Sequence, residues 1–278
     1  MASEDGPVTP SIQSEFDEAT RSTLTDDGMF TAEIEDGWDI NGNANGGYLL
    51  ALVVRAMRDA SGRPDPITVS AHYLAPGKPG PVTIETATVK AGRQLATLTG
   101  SMRSGEREIL RVLGAFGDVA AMGGGFSSVA GSPPDLPPRE LCVVRDQNSG
   151  IVNIGLMRHV RVHIRPEHAG FADGVKSGRA LIEGWFEFGD GRPIDTLALM
   201  LAIDAFPPPV FNIDIPPGWV PTVELTAHVR GVPAAGPLRC RFHTEFVQNG
   251  FLQEDSEVWD SSGMLVAQSR QLALLPKG

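Results

Sequence analysis

From Tyr48 to Met57 the chain reads YLLALVVRAM, and apolar residues fall on nearly every face of a helix drawn through it. A second apolar stretch, DTLALMLAIDAF (Asp195 to Phe206), also has helical length and carries a carboxylate near its end, Asp204. After each stretch the pattern changes to period two. In TIETATVKAG, Ile84, Thr86 and Thr88 alternate with Thr83, Glu85 and Ala87, which predicts a strand with two distinct faces. A helix apolar all round must be enclosed, and a long antiparallel sheet curled about it supplies the enclosure. The expected fold class is therefore α+β.

The pattern occurs twice. ITVSAHYLAPGKPGPVTIETATV, from Ile67, aligns without a gap on VELTAHVRGVPAAGPLRCRFHTE, from Val223, at an offset of 156 residues. Ala71-His72 then falls on Ala227-His228, and Gly80-Pro81 on Gly236-Pro237. Upstream, Gly37-Trp38 matches Gly184-Trp185 and Ala51-Leu52 matches Ala198-Leu199, both at an offset of 147. The second copy thus carries 9 extra residues, placed in the Pro-rich PPPVFNIDIPPGWVP. Collinear matches interrupted by one loop insertion indicate a duplication. Each copy is expected to hold a strand ending in Gly-Trp, a central helix and three further strands. Between the copies, DVAAMGGGFSSVAGSPPDLPP lacks periodicity and reads as a linker. The expected units are residues 1–117, a linker over 118–138, and residues 139–278.

Composition narrows the function classes. The 278 residues carry a net charge of -11, which disfavours nucleic acid and anionic membrane as partners. No apolar run reaches the roughly 20 residues a membrane-spanning helix needs. The N-terminus is acidic and polar, unlike a secretory signal. Cys142 and Cys240 give no disulfide framework, and a cytoplasmic setting is expected. No G-x-S-x-G nucleophile elbow is present, and NGNANGG is no dinucleotide fingerprint. His159 and His163 of HVRVHIRPEH would share a strand face about 13 Å apart, too far for one zinc ion. No metal or cofactor is expected. His72 and His228, being repeat-related, are expected to pack. Arg93, Arg103, Arg107 and Arg111 would either meet phosphates or form a solvated sheet face.

NGGYLLAL, AHYLAPG, LALMLAIDAF, PTVELTAHVR and LVAQSRQLAL, in this order and spacing, resemble the double-hotdog acyl-CoA thioesterases, the bacterial thioesterase II family. The resemblance implies two tandem hotdog repeats, each with a curved antiparallel sheet wrapped around a central helix. It also implies an acyl-CoA substrate hydrolysed to free acid and coenzyme A, and assembly as a homodimer or homotetramer. The family's catalytic Asp, Ser/Thr and Gln fall on Asp204, Thr222 and Gln271. By simple strand parity Thr226 is an alternative to Thr222. Met57 and Ala115 stand where the first copy would carry counterparts of Asp204 and Gln271, so one working half-site is expected.

These three side chains would hold one water, with Asp204 as general base or orienting group. Without the resemblance, Asp204 reads equally as a residue that ends its helix before Pro207. Asn45, Gly46 and Gly47 precede the first helix. Asn45 is a good N-cap, and exposed helix-start N–H groups can polarise a thioester oxygen; a tight turn with an ordinary cap is the plainer reading. Two other functions fit the same pattern: a non-catalytic acyl-thioester-binding or scaffold protein, and a hotdog hydratase. The hydratase would want a His near a central helix, where none occurs.

Overall fold

A computed structural model of the chain describes residues 14–147 and 152–276. The first half runs α1 (Glu15–Ala19), β1 (Ser22–Leu24), β2 (Phe30–Ile34), β3 (Asp39–Ile40), β4 (Asn43–Ala44), α2 (Gly46–Ser61), β5 (Asp65–Tyr73), β6 (Gly80–Ala91), β7 (Ala96–Ser104) and β8 (Arg107–Gly117). The second runs α3 (Val119–Met122), β9 (Val143–Val144), β10 (Val160–Ile164), α4 (Pro166–Ala169), β11 (Leu181–Phe188) and α5 (Leu199–Ala202). It ends with β12 (Thr222–Val229), β13 (Leu238–His243), β14 (Val247–Gln248), β15 (Phe251–Trp259) and β16 (Leu265–Leu274). Among the described residues no helix is long and apolar enough to cross a membrane.

One sheet joins the halves, in the order β1-β2-β6-β7-β8-β5-β12-β16-β15-β13-β11-β10-β9, with β14 on β15. The order from β5 outward repeats from β12 outward, as the duplication requires. The seam is the antiparallel β5–β12 pair, in which Ser70 faces Thr226. These residues are 156 apart, the repeat offset, so a pseudo-twofold axis passes between them. His72 and His228, flanking the seam, are exposed rather than packed.

Helix α2 fills the hollow of the first half. Asn45 caps it by accepting from Tyr48 N–H at 3.0 Å. Gly62 closes it in the left-handed region at φ 63°. Residues Gly47–Val54, Ala56 and Met57 are all buried. Gly100 on β7 leaves room for it: a Cβ there would stand 2.7 Å from both Met57 Sδ and Val53 Cγ1. The second central segment departs from expectation. Its regular α-helix spans only Leu199–Ala202, bounded by turns, although its apolar residues are as buried as those of α2. Phe206 and Phe242 stack at 4.7 Å beside it.

Gly37-Trp38 and Gly184-Trp185 are not structural counterparts. Gly184 and Trp185 lie within β11, whereas Gly37 sits in a turn at φ 87°. The counterpart of β11 is β2, the strand next to β6 as β11 is next to β13. The Pro-rich insertion packs rather than dangles. Val210 and Val220 form a small apolar cluster with Leu252 of β15 and Ala273 of β16. Asn212, fully buried, donates to the carbonyl of His168 at 2.9 Å. Part of the segment between the halves is anchored as well, for Trp185 Nε1 donates to the Pro137 carbonyl at 3.0 Å.

Candidate active site

The start of α2 meets the end of the second central segment. Gly47 permits the approach: a Cβ there would lie 2.6 Å from the Met200 carbonyl oxygen and 3.1 Å from Leu201 Cα. Both obstacles are backbone and cannot rotate away. Gly47→Ala is therefore expected to force the segments apart, costing about 1–3 kcal/mol as measured by denaturant unfolding.

That contact delivers Asp204 to the helix start. Its Oδ2 accepts from Gly47 N–H at 2.7 Å and from Asn45 Nδ2 at 3.0 Å. Asn45 Nδ2 also donates to the Asp204 carbonyl at 2.9 Å. Oδ1 takes no hydrogen bond from the described residues. Asp204 thus has one oxygen fixed and one available, beside the positive end of α2. Burial pushes its carboxyl up to about 6, although the Gly47 and Asn45 donors favour the ionised form. Some of the residue's surface is still exposed, which limits the energetic cost of keeping the charge there.

The helix-start amides divide their work in a way the sequence does not show. Gly47 N–H is committed to Asp204, and Tyr48 N–H to the Asn45 cap. Of the expected polarising donors this leaves Gly46 N–H, which has no protein acceptor among the described residues. Tyr73 flanks it, donating from its hydroxyl to the Gly46 carbonyl at 3.0 Å.

Gln271 lies on the inner face of β16, 6% exposed, and accepts from Thr222 Oγ1 at 3.3 Å. A β-bulge sets the alternative Thr226 on the opposite face from Thr222. Thr222 pairs with Ala273 but Glu224 with Leu272, so Val223 is an extra residue and strand parity reverses there. Thr222 turns inward with Ala273 and Gln271. Thr226, opposite Arg270, faces outward and donates to Glu224 Oε1 at 2.5 Å. No direct hydrogen bond links Asp204 to Thr222 or Gln271 among the described residues. Glu254 faces Gln271 across the β15–β16 ladder, and the Asp204 charge acts on it.

The sequence pattern of the acyl-CoA thioesterase N-terminal domain matches residues 34–117, and that of the acyl-CoA thioesterase C-terminal domain matches residues 133–275. The chain belongs to the acyl-CoA thioesterase family. A crystal structure from Thermobifida fusca YX, assigned as a thioesterase II, is similar at 30% identity and a TM-score of 0.86, over 96% of this chain and 99% of that one. A hotdog-fold protein of unknown function from Alicyclobacillus acidocaldarius superposes at TM-score 0.83 and 21% identity, over 95% and 98%. An uncharacterized protein of Mycobacterium tuberculosis is 28% identical over 267 residues, 89% of this chain and 91% of its own. The fold is the family's double hotdog.

In this acyl-CoA thioesterase chain the described residues of the first half carry no second polar set. Pairing across the seam assigns the counterpart of Gln271 differently from the sequence offset. Gln271 faces Leu225, whose repeat mate Val69 faces Gly114, so Gly114 rather than Ala115 occupies the equivalent place. Leu98 faces Gly114 where Glu254 faces Gln271. Met57 is wholly buried against Gly100. Other candidate groups lie elsewhere. Arg103 and Arg111 pair with Glu108 on the β7–β8 hairpin, a solvated face. Cys240 is fully buried in the core, its thiol pushed up by burial. No cluster of three metal-ligating side chains exists among the described residues.

Proposed function

We propose that the chain hydrolyses an acyl-CoA thioester with Asp204 as general base. The observation that carries this reading is the asymmetric hold on Asp204: among the described residues two donors converge on Oδ2 and none on Oδ1. A water held at Oδ1, with Gln271 and Thr222 as further partners, attacks the thioester carbonyl carbon and gives its proton to Asp204. Gly46 N–H, at the start of α2, stabilises the oxygen that becomes negative. The tetrahedral intermediate then expels the coenzyme A sulfur, which takes the proton back from Asp204. One water is consumed, and free acid and thiol leave.

The reading includes two hotdog units, residues 1–117 and 139–278, joined by 118–138, and assembly of two or four chains. It is tested by thiol release from a panel of acyl-CoA chain lengths; binding without thiol release would mark an acyl-thioester-binding protein instead. A base whose carboxyl sits at about 6 also fixes the pH profile. Because only the ionised form accepts a proton, kcat is expected to rise about tenfold per pH unit below 6 and to level off above it. A rate that is flat from pH 4 to 8 would exclude Asp204 as the base.

A further inference from the structure

Strand β15 reads FLQEDSEVW, and its inner positions are Leu252, Glu254, Ser256 and Val258, all buried. Three of them have evident roles. Leu252 joins the cluster under the insertion, Val258 belongs to the main core, and Ser256 shares a 2.6 Å hydrogen bond with Ser269 of β16. Glu254 has no such account. It is 5% exposed, and its Oε2 is buried without a hydrogen-bond partner among the described residues. An orphaned buried polar atom of this kind is rarely kept without reason.

Its position supplies one. Glu254 directly faces Gln271, whose other neighbour is Thr222. The charged groups acting on it are Asp204, from the end of the second central segment, and Asp255, from its own strand. Burial raises its carboxyl well above the ordinary range, the Asp204 and Asp255 charges raise it further, and Gln271 alone opposes them. Two like charges this enclosed do not both ionise readily. Among the described residues Asp204 has two donors to hold its charge, and Glu254 has only Gln271. The proton therefore stays on Glu254.

We propose that Glu254 is a positioning residue of the hydrolytic site: a buried, neutral carboxylic acid that pairs with the Gln271 amide and fixes its orientation toward the water. The inference rests on the assignment of Asp204 as base. The thioesterase would then need one carboxylate and one carboxylic acid at once. Asp204 would bound the rate on the acid side and Glu254 on the alkaline side, because a Glu254 anion would tighten its hold on the Gln271 amide and draw it from the water.

Glu254→Gln, neutral at every pH and of the same shape, tests this without loss of the fold, which thermal unfolding checks. Its kcat at neutral pH is expected within about threefold of the parent, with the alkaline decline removed and KM unchanged. Glu254→Ala is expected to lower kcat about tenfold or more with little change in KM. An infrared difference spectrum, parent minus Glu254→Gln at pH 8, is expected to show the carbonyl stretch of a protonated carboxyl, and this readout needs no substrate. An alkaline decline that persists in Glu254→Gln, a parental kcat in Glu254→Ala, or only a carboxylate band in the infrared would each overturn the proposal. Failure of the Asp204 assignment is distinguishable, since Asp204→Asn would then retain activity whatever Glu254 does.

Discussion

Asp204→Asn is expected to make the protein more stable and nearly inactive. Asparagine can present its amide oxygen at the Oδ2 position, where it keeps the donors from Asn45 and Gly47. The amide nitrogen then replaces Oδ1, the oxygen that would accept the proton of the water. The fold keeps its contacts and the proposed base is gone, so kcat should fall by about 10²–10⁴. The stability change follows from proton linkage. The carboxyl of Asp204 sits at about 6 in the folded chain and at 3.8 as an unperturbed group. Between these values the native state holds more protons than the unfolded state, so stability falls as pH rises through the interval. Above it the full cost is present. Allowing for the part of Asp204 that stays exposed, that cost is about 1–3 kcal/mol. Denaturant unfolding of parent and variant should coincide near pH 3 and separate in favour of Asp204→Asn by pH 7. A variant less stable than the parent at pH 7 would contradict the account.

The second large effect belongs to Phe16. Helix α1 comes from the N-terminal half yet docks on both halves. Phe16 is wholly buried, with its ring 5.9 Å from Trp38 and 5.1 Å from Phe188 of β11. The Arg192 guanidinium lies 5.0 Å over the same ring. Arg192 is held by Asp17 at 2.7 Å and Asp195 at 2.9 Å, and these carboxylates keep it charged despite its burial. Phe16→Ala would empty an aromatic-sized space and remove the surface on which Arg192 rests. A loss of about 3–5 kcal/mol in unfolding free energy is expected. Asp17→Asn, which leaves the ring in place, should cost much less. Equal losses in the two variants would show that the ion pair, not the packing, ties α1 down.

Much of the architecture was legible in the chain. The offset of 156 residues reappears as the Ser70–Thr226 pair, because a duplicated strand that pairs with its own copy must meet itself at the axis. The all-round apolar character of YLLALVVRAM demanded enclosure, and the sheet provides it. Illegible features arose where local backbone geometry overrode simple counting. The extra residue at Val223 reverses strand parity, so Thr222 and Thr226, four apart, face opposite ways. Gly184-Trp185 continues a strand while Gly37-Trp38 turns a corner, although the dipeptides are identical. The second central segment has the apolar content of a long helix but breaks into turns. Glu254 left a signal that alternation could have caught, since Leu252 and Val258 mark its side of the strand as interior. Asp204 lies 159 residues from its partner Asn45, and only the folded chain brings the two together.

Gly47 has a consequence for how such a molecule can change over generations. The contact it allows takes its carboxylate from one copy and its helix start from the other. A free-standing single repeat would therefore carry a helix start and a segment end that could meet only in a second copy. Once two copies share a chain, each mating of helix start and carboxylate is free to drift separately, and one can be filled with hydrocarbon while the other stays under selection. In the first half the places equivalent to Asp204, Glu254 and Gln271 are taken by Met57, Leu98 and Gly114, two apolar side chains and a glycine that brace the core instead.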